Sequence, residues 1–398
     1  MKLFNMRLAI VTTHPIQYYA PVFRLLHQRR IIQIKVFYTW GEGAIQKHDP
    51  GFGKNIEWDI PLLDEYPYEW VKNTATDPGS HHNKGIINPD LISRIEEYKP
   101  DALLVFGWAY HAHAKVMRYY KSKLFVCFRG DSTLLDEKSS YRAAIRKLFL
   151  TRMYKNVDHA FYVGSNNKAY FKKYGLKSEQ LSLAPHAIDN DRFAADRSVE
   201  AARLRNILGI DKDSVLVLFA GKLEEKKSPL LLLDAFKKAG INHSHLLFVG
   251  NGALANKLKS EADQAANIHF MDFQNQTSMP VVYQACDLFC LPSKGPGETW
   301  GLAVNEAMAC GKAILVSDKV GCAVDLVSNN GVIFKSEQTD ELIAVLKSLC
   351  ADKTILTKMG KRSAEIIRNF SFVAIAKAIE SKLTEHYNQR FILPVTRS

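Results

Sequence analysis

The stretch GPGETWGLAVNEAMACGKAILVS, residues 295–317, reads as a turn, a helix and a strand in immediate succession. Its Gly/Pro-rich opening leaves the apolar run CDLFCLP (286–292), which has the length and composition of a buried strand. A helix starting near Gly301–Leu302 then carries the chain to the apolar run KAILVS (312–317). Strand, tight turn, helix, strand is the repeating unit of a parallel α/β sheet.

The same unit recurs on both sides. Upstream lie DSVLVLFAG (213–221), HLLFVG (245–250) and ANIHFMDF (266–273), with a helix predicted over SPLLLLDAFKKAG. Further upstream a first set appears: RLAIVTT (7–13), IIQIKVFY (31–38), DALLVFG (101–107), KLFVCF (123–128) and HAFYVG (159–164). Among the helices between them, NPDLISRIEEYKP has Asn88 placed as an N-cap, Pro89 in the first turn and Pro100 beyond the end. Between the two sets sits HAIDNDRFAADRSVEAARLRNILGI (186–210), with the boundary read near Pro185–Arg192. The fold class is therefore α/β, with two Rossmann-like domains facing across a cleft. Ligands are expected outside the carboxyl ends of the strands. Residues 41–88, rich in Gly, Pro, Trp and Tyr, break the pattern and read as a functional loop or small antiparallel hairpins on the first domain.

The 398 residues suit about two domains. Six scattered cysteines, none in a CxxC pair, read as reduced core thiols and favour a reducing cytosol. The opening MKLFNMRLAIVTTH reads as a first buried strand rather than an exported leader, and no apolar run is long enough to span a bilayer. No strand is followed by GxGxxG, which argues against a dinucleotide dehydrogenase.

The net charge is +12. From Lys138 to Lys177 ten Lys or Arg face one acid, Asp158, so this segment holds +9. A face of that kind suits nucleic acid, an anionic membrane or a phosphate-bearing substrate. No RNP, zinc or helix-turn-helix pattern supports nucleic acid. Within it, SYRAAIRKLFLTRMYKN (140–156) spaces Ile145, Leu148, Phe149, Arg152, Met153 and Tyr154 helically, among Arg142, Arg146, Lys147 and Lys155. Core packing is the first expectation for its apolar stripe, with contact to anionic lipid through the basic face.

The candidate site begins at the same 295–317 stretch. Glu298 precedes the helix and Glu306 lies within it, eight positions on. The amides of Thr299, Trp300, Gly301 and Leu302 lie at the helix start, where unpaired N–H groups and the helix dipole bind anions.

The Glu-x7-Glu pair enclosing aromatic-Gly and followed by EAMACG resembles the donor-site motif of family 4 glycosyltransferases, which are retaining enzymes of the GT-B fold. AGKLEEKKSPLLLLDAF resembles the G-R-L-x-x-x-K-G segment of that family, FVGNGAL its V-G-x-G-x-L turn, HAIDNDRF its interdomain linker, and NFSF its F-S-W signature. The resemblance is clear over about residues 155–385. It implies a first, acceptor-side domain over 1–187, completed by a C-terminal helix crossing back (372–398), and a donor-binding domain over 188–371.

By the same resemblance, Lys222 and Lys227 contact the donor diphosphate, Glu298 binds the transferred sugar and Glu306 the ribose. Gly221, Gly250 and Gly252 line the nucleotide. The family's usual Arg is Lys222 here, its Gly after the second base is Ser228, and its N-terminal Gly-Gly loop is THPIQYYAP (13–21). In the first domain Arg129 and Asp131, in VCFRGDSTLL, and His111 are the candidates for acceptor or phosphate contact. The implied reaction moves a sugar with retention from a UDP- or GDP-type donor to a glycan or lipid-linked glycan in surface polysaccharide synthesis. It needs no cofactor and no metal, since two ammonium groups and a helix start meet the charge on the leaving diphosphate. The D-x-D patterns at Asp189–Asp191 and Asp211–Asp213 read as caps. The rival readings are an epimerase or phosphorylase on the same fold, and a basic membrane- or polyanion-binding protein with an inactive cleft.

Overall fold

The computed structural model describes residues 6–44, 47–49, 54–80, 82–137 and 140–391. The chain divides into two compact units. One comprises Met1–Lys47, Pro61–His186 and Phe372–Ser398, the other His48–Ile60 and Ala187–Ser371. Residues 48–60, read from sequence as part of the first domain, thus group with the second unit. Asn275 Nδ2 donates to the Glu57 carbonyl at 2.7 Å, Thr277 bonds Asp59, and Trp58 meets Phe273 with ring centroids 6.4 Å apart.

The strands, in chain order, are β1 (Arg7–Thr12), β2 (Gln33–Tyr38), β3 (Lys47–Asp49), β4 (Lys54–Ile56), β5 (Tyr68–Trp70), β6 (Ala102–Phe106), β7 (Phe125–Arg129), β8 (His159–Tyr162), β9 (Leu181–Leu183), β10 (Val215–Ala220), β11 (Ser244–Val249), β12 (Ile268–Met271), β13 (Leu288–Leu291), β14 (Ala313–Ser317) and β15 (Gly331–Phe334). In the first unit they form a sheet ordered β5-β2-β1-β6-β7-β8-β9, with every neighbouring pair parallel. In the second unit the order is β12-β11-β10-β13-β14-β15, again all parallel. Strands β3 and β4 make a separate two-stranded sheet.

The ten apolar runs singled out in the sequence are all strands. Three more, β5, β9 and β15, lie at sheet edges, where one partner is missing and the apolar signal is weaker. The central strands β6 and β10 are buried at every residue, because helices cover both faces. Both sheets reverse direction of winding at one place: between β1 and β6 in the first, between β10 and β13 in the second. Loops leaving the carboxyl ends of the two flanking strands diverge there, and the crevice between them is where such sheets bind ligands.

The last helix, Phe372–Phe391, belongs to the first unit. Its Ile375, Ala376, Ile379 and Leu383 are buried, and its Glu380 carboxylate takes the Arg29 Nε–H at 2.9 and 3.0 Å. Arg29 ends the helix Ala20–Arg29, so sequence neighbours of β1 hold the far end of the chain.

Two sequence expectations are corrected here. The helix after Asn88 spans Leu91–Tyr98 with Asp90 as its cap. Asn88 instead turns inward, 5% exposed, and its amide donates to the Thr39, Val71 and Lys72 carbonyls. In the helix Tyr141–Tyr154, Met153 and Tyr154 enter the core as expected, together with Leu150, which the spacing did not single out, but Ile145, Leu148 and Phe149 stay exposed. Position 138, counted in the basic segment, lies outside the described residues.

Candidate functional site

In the second unit β11, β10 and β13 are adjacent, so the three loops at their carboxyl ends meet. The loop after β10 is tied to the loop after β11 by Gly221 N to Val249 O (3.0 Å), Leu223 N to Asn251 O (2.9 Å) and Leu254 N to Leu223 O (2.9 Å). It is tied to the loop after β13 by Lys294 N to Lys226 O (2.9 Å).

Gly250 explains why no side chain fits at the first of these seams. Its φ is +133°, and a Cβ there would fall on the Gly221 carbonyl. Gly252 packs similarly against the Leu223 carbonyl. The two backbones therefore touch directly, which leaves the rim above them for a ligand.

Lys227 and Glu298 meet across the reversal between β10 and β13. Lys227 Nζ lies 2.7 Å from Glu298 Oε2, with the two side chains 16% and 8% exposed. Lys227 ends a short 3-10 turn, Glu225–Lys227, and its stem crosses Gly221, where an added Cβ would sit 3.4 Å from Lys227 Cδ. Ser293 Oγ donates to the same Glu298 oxygen at 3.0 Å. The Glu298 backbone is fixed by Gly321 N donating to its carbonyl at 3.0 Å. A buried carboxylate so held stays oriented toward the strand ends, which suits binding of hydroxyl donors. Lys222, in the same loop, is partly exposed and begins the turn that delivers Lys227.

The helix after Glu298 runs Leu302–Ala309 and is capped by Gly301, whose φ of +94° and ψ of 63° a side chain resists. A Cβ there would also meet Val320 Cγ1 at 2.9 Å. Trp300 is buried and donates its indole N–H to Asn305 Oδ1 at 2.8 Å. The Trp300 side chain thus ties the loop to the first turn of the helix. Glu306 is 5% exposed and accepts the Tyr283 hydroxyl at 2.9 Å. Tyr283 comes from the helix Met279–Ala285, before β13.

Lys222, Lys227, Glu298, Glu306, Thr299, Trp300, Gly301, Leu302, Gly221, Gly250 and Gly252 therefore all lie on or beside three adjoining loops and one helix start. Ser293, Tyr283 and Asn305, which orient the named residues, carried no signal in the sequence, because a lone Ser, Tyr or Asn has no pattern of its own.

In the first unit Asp131 follows β7, and His111 opens the helix His111–Tyr120 after β6. His111 is exposed, while His113 is fully buried, with Nδ1 facing the Phe106 and Gly107 carbonyls at 3.1 and 3.0 Å. Burial lowers the His113 pKa to about 4. Asp131 is half-exposed, with Oδ2 3.8 Å from His186 Nε2. His186 is buried and stacks parallel to Tyr19, centroids 6.5 Å apart. Burial pulls the His186 pKa down, against the pull of Asp131. His186 stood in the linker motif and was not read as part of this group.

Arg129 is corrected. It ends β7, is 2% exposed, and donates NH1 to the Ala184 carbonyl (2.5 Å) and NH2 to the Pro185 carbonyl (3.2 Å). It is neither a surface residue nor an open anion ligand, since its fork pins the chain at 184–185. Asp189 is a helix cap as expected, accepting from Arg192 N at 3.1 Å.

Residues 200–366 match the family model described as glycosyl transferases group 1. Among curated proteins, the chain is 26% identical over 219 residues to D-inositol 3-phosphate glycosyltransferase of Rhodococcus erythropolis, covering 52% of this chain and 48% of that protein. It is 34% identical over 147 residues to phosphatidyl-myo-inositol mannosyltransferase of Mycobacterium tuberculosis, 36% of each chain. The chain thus spans about half the length, or less, of the curated relatives it matches. Among solved structures, Anabaena Alr3699/HepE in complex with UDP and glucose superposes with a TM-score of 0.69 over 96% of this chain and 100% of that one, at 17% identity. Sucrose-phosphate synthase from Thermosynechococcus elongatus gives 0.70 over 97% and 99%, also at 17% identity. The architecture is therefore that of the GT-B glycosyltransferases.

Proposed function

With a glycosyl transferases group 1 domain forming most of its second unit, we propose that this chain transfers a sugar, with retention, from a nucleoside diphosphate sugar to a hydroxyl acceptor. The observation that carries this reading is the Lys227–Glu298 pair, standing at the sheet reversal beside the start of helix Leu302–Ala309. Before the donor binds, the pair keeps a buried carboxylate and a buried ammonium neutralised together. The donor then divides them. Glu298 accepts hydrogen bonds from hydroxyls of the sugar, and Lys227, with Lys222, turns to the diphosphate.

As the glycosidic C–O bond breaks, negative charge collects on the departing phosphate oxygen. The two ammonium groups and the helix N-terminus meet it in place, so no metal is required. Glu298, engaged by the hydroxyls of the donor sugar and by Ser293, is a poor nucleophile, and attack by the acceptor on the face the diphosphate leaves accounts for retention. Glu306, set by Tyr283, holds the ribose. In the first unit, Asp131 beside His186 is the group assigned to the acceptor hydroxyl, with His111 beside it in role.

The donor is of the UDP or GDP type; the solved relative that holds UDP and glucose makes UDP-glucose the first to try. The acceptor is a glycan or a lipid-linked polyol. Inositol phosphate and phosphatidyl-myo-inositol, which appear in the names of the curated relatives, are the first acceptors to try. The chain works at the cytoplasmic face of a membrane in surface glycan synthesis.

Thermal unfolding in the presence of UDP, GDP, ADP and their sugars tests the donor. One nucleotide should raise the midpoint selectively, and Glu306→Ala should abolish the rise. EDTA should leave turnover unchanged. If no nucleotide shifts the midpoint of the wild-type protein, the reading fails.

A further inference from the structure

We infer a second ligand site in the second unit, apart from the loops that carry Glu298: the cavity around Lys312 takes a small phosphate monoester, and its occupancy is felt at Glu306. The cavity has a volume of about 570 Å³, the size of a small-molecule site. It lies at the amino end of β14, since Lys312 immediately precedes Ala313, whereas Glu298 lies beyond the carboxyl end of β13. Three helices, Ser198–Ile207, Leu302–Ala309 and Lys353–Ile367, give its wall Ala201, Ala309 and Ala364. A smaller cavity of about 270 Å³ adjoins it, with Gly311, Lys312 and Ala364 lining both and Lys361 lining the smaller one.

The charge in these cavities points to an anion. Lys312 Nζ donates to the Gln284 carbonyl at 2.9 Å, and no carboxylate pairs with it among the described residues. Lys361 is exposed and equally without a carboxylate there. Asp287, the acid of the smaller cavity, is already shared by two cations, Arg205 Nη1 at 3.1 Å and Lys353 Nζ at 3.3 Å. Asp196, the acid of the larger, is exposed and accepts Ser198 N at 2.9 Å. The excess charge is therefore positive. A phosphate in the smaller cavity offers oxygens to both lysines, and its organic body covers the alanine wall of the larger. A neutral molecule leaves the ammonium groups without counter-charge, and a metal cation is repelled.

Two short routes lead from this cavity to Glu306. Cys310, on its wall, donates its backbone N–H to the Glu306 carbonyl at 3.1 Å. Lys312 holds the carbonyl of Gln284, and the preceding residue, Tyr283, sets the Glu306 carboxylate through its hydroxyl at 2.9 Å. A phosphate that draws Lys312 from Gln284 loosens the end of helix Met279–Ala285 and Tyr283 with it. Nucleotide binding then weakens. This link rests on Glu306 holding the ribose, as the transfer reading has it; binding in the cavity does not.

Phenyl phosphate, titrated calorimetrically into the full chain beside inorganic phosphate and phenol, tests both parts. It should bind about ten-fold tighter than inorganic phosphate, through its apolar body, and phenol should not bind. Lys312→Gln and Lys361→Gln should each weaken it about ten-fold, through a lost charge-assisted hydrogen bond. Lys361 is exposed, so its variant keeps the wild-type thermal midpoint and decides the matter if Lys312→Gln loses stability with its Gln284 contact. Lys222→Ala, in the loop after β10, should leave the affinity unchanged. Saturating phenyl phosphate should weaken nucleotide binding about five-fold, and nucleotide should weaken phenyl phosphate binding equally.

No binding of phenyl phosphate overturns the site. Inorganic phosphate binding as tightly overturns it too, because the larger cavity then holds nothing. Binding that survives in both lysine variants, or that Lys222→Ala removes, places the anion elsewhere and overturns it equally. A nucleotide affinity unmoved by phenyl phosphate overturns the link to Glu306. If no nucleotide binds at all, the transfer reading fails, while the phenyl phosphate titration still decides the cavity.

Discussion

Lys227 and Glu298 are 71 positions apart in the chain, yet their charged atoms stand 2.7 Å apart at the carboxyl ends of β10 and β13. Both are largely withdrawn from water, with side chains 16% and 8% exposed. Lys227→Ala alone should therefore destabilise the second unit by ~2–4 kcal/mol, because it leaves Glu298 buried and unpaired. The double variant with Glu298→Ala should recover part of that loss. A double-mutant cycle by urea unfolding should return a coupling of ~1–3 kcal/mol, and strict additivity would show the contact to be incidental.

Glu298→Gln keeps the shape and one hydrogen-bond acceptor but removes the charge that Lys227 and Ser293 hold in place. Transfer should fall by roughly 10²–10³ while nucleotide affinity changes little, since the sugar contact is lost and the phosphate contact kept. Rates with saturating donor, set beside nucleotide titration, separate the two.

Gly250→Ala should destabilise the second unit by at least ~2 kcal/mol. The methyl group collides with the Gly221 carbonyl, at a φ that L residues resist. Because Gly221 supports Lys227, nucleotide binding should weaken as well, and thermal unfolding with and without nucleotide measures both effects.

Arg129→Met should cost ~2–4 kcal/mol by leaving the buried Ala184 and Pro185 carbonyls without their donors. A direct phosphate ligand behaves differently on replacement: stability holds and affinity drops. Urea unfolding alongside nucleotide titration tells the two apart.

His113 links stability to acid. Its folded pKa of about 4 lies below the usual value of 6.5, so it stays neutral in the fold while the unfolded chain takes up a proton below 6.5. Stability is thus full above pH 6.5 and declines as pH falls toward 4, by up to ~3 kcal/mol from this group. His113→Gln should flatten part of that slope, read as unfolding midpoints at several pH values.

Much of this was legible beforehand. The apolar runs RLAIVTT and DSVLVLFAG, with the helices between, marked two parallel sheets, because strands buried on both faces must be apolar throughout. The short edges β5 and β9 were not legible, since their half-solvated residues look like loop. The glutamates and lysines of the loops after β10 and β13 were legible because they sit at fixed offsets from a strand end and a helix start. Ser293, Tyr283 and His186 were not, because each acts on a partner far along the chain or outside any motif.

Arg129 and the helix Tyr141–Tyr154 show where reading by pattern stops. Helical spacing states which side chains share a stripe, and it states this identically for a stripe that is buried and one left in water. Residue types and their local order therefore settled the strands, the reversal-point loops and the chemistry offered there. Which Arg is spent on backbone carbonyls, which carboxylate meets which ammonium, and which of two apolar faces finds the core are set by long-range packing, where the partner lies tens of residues away and no local regularity records it.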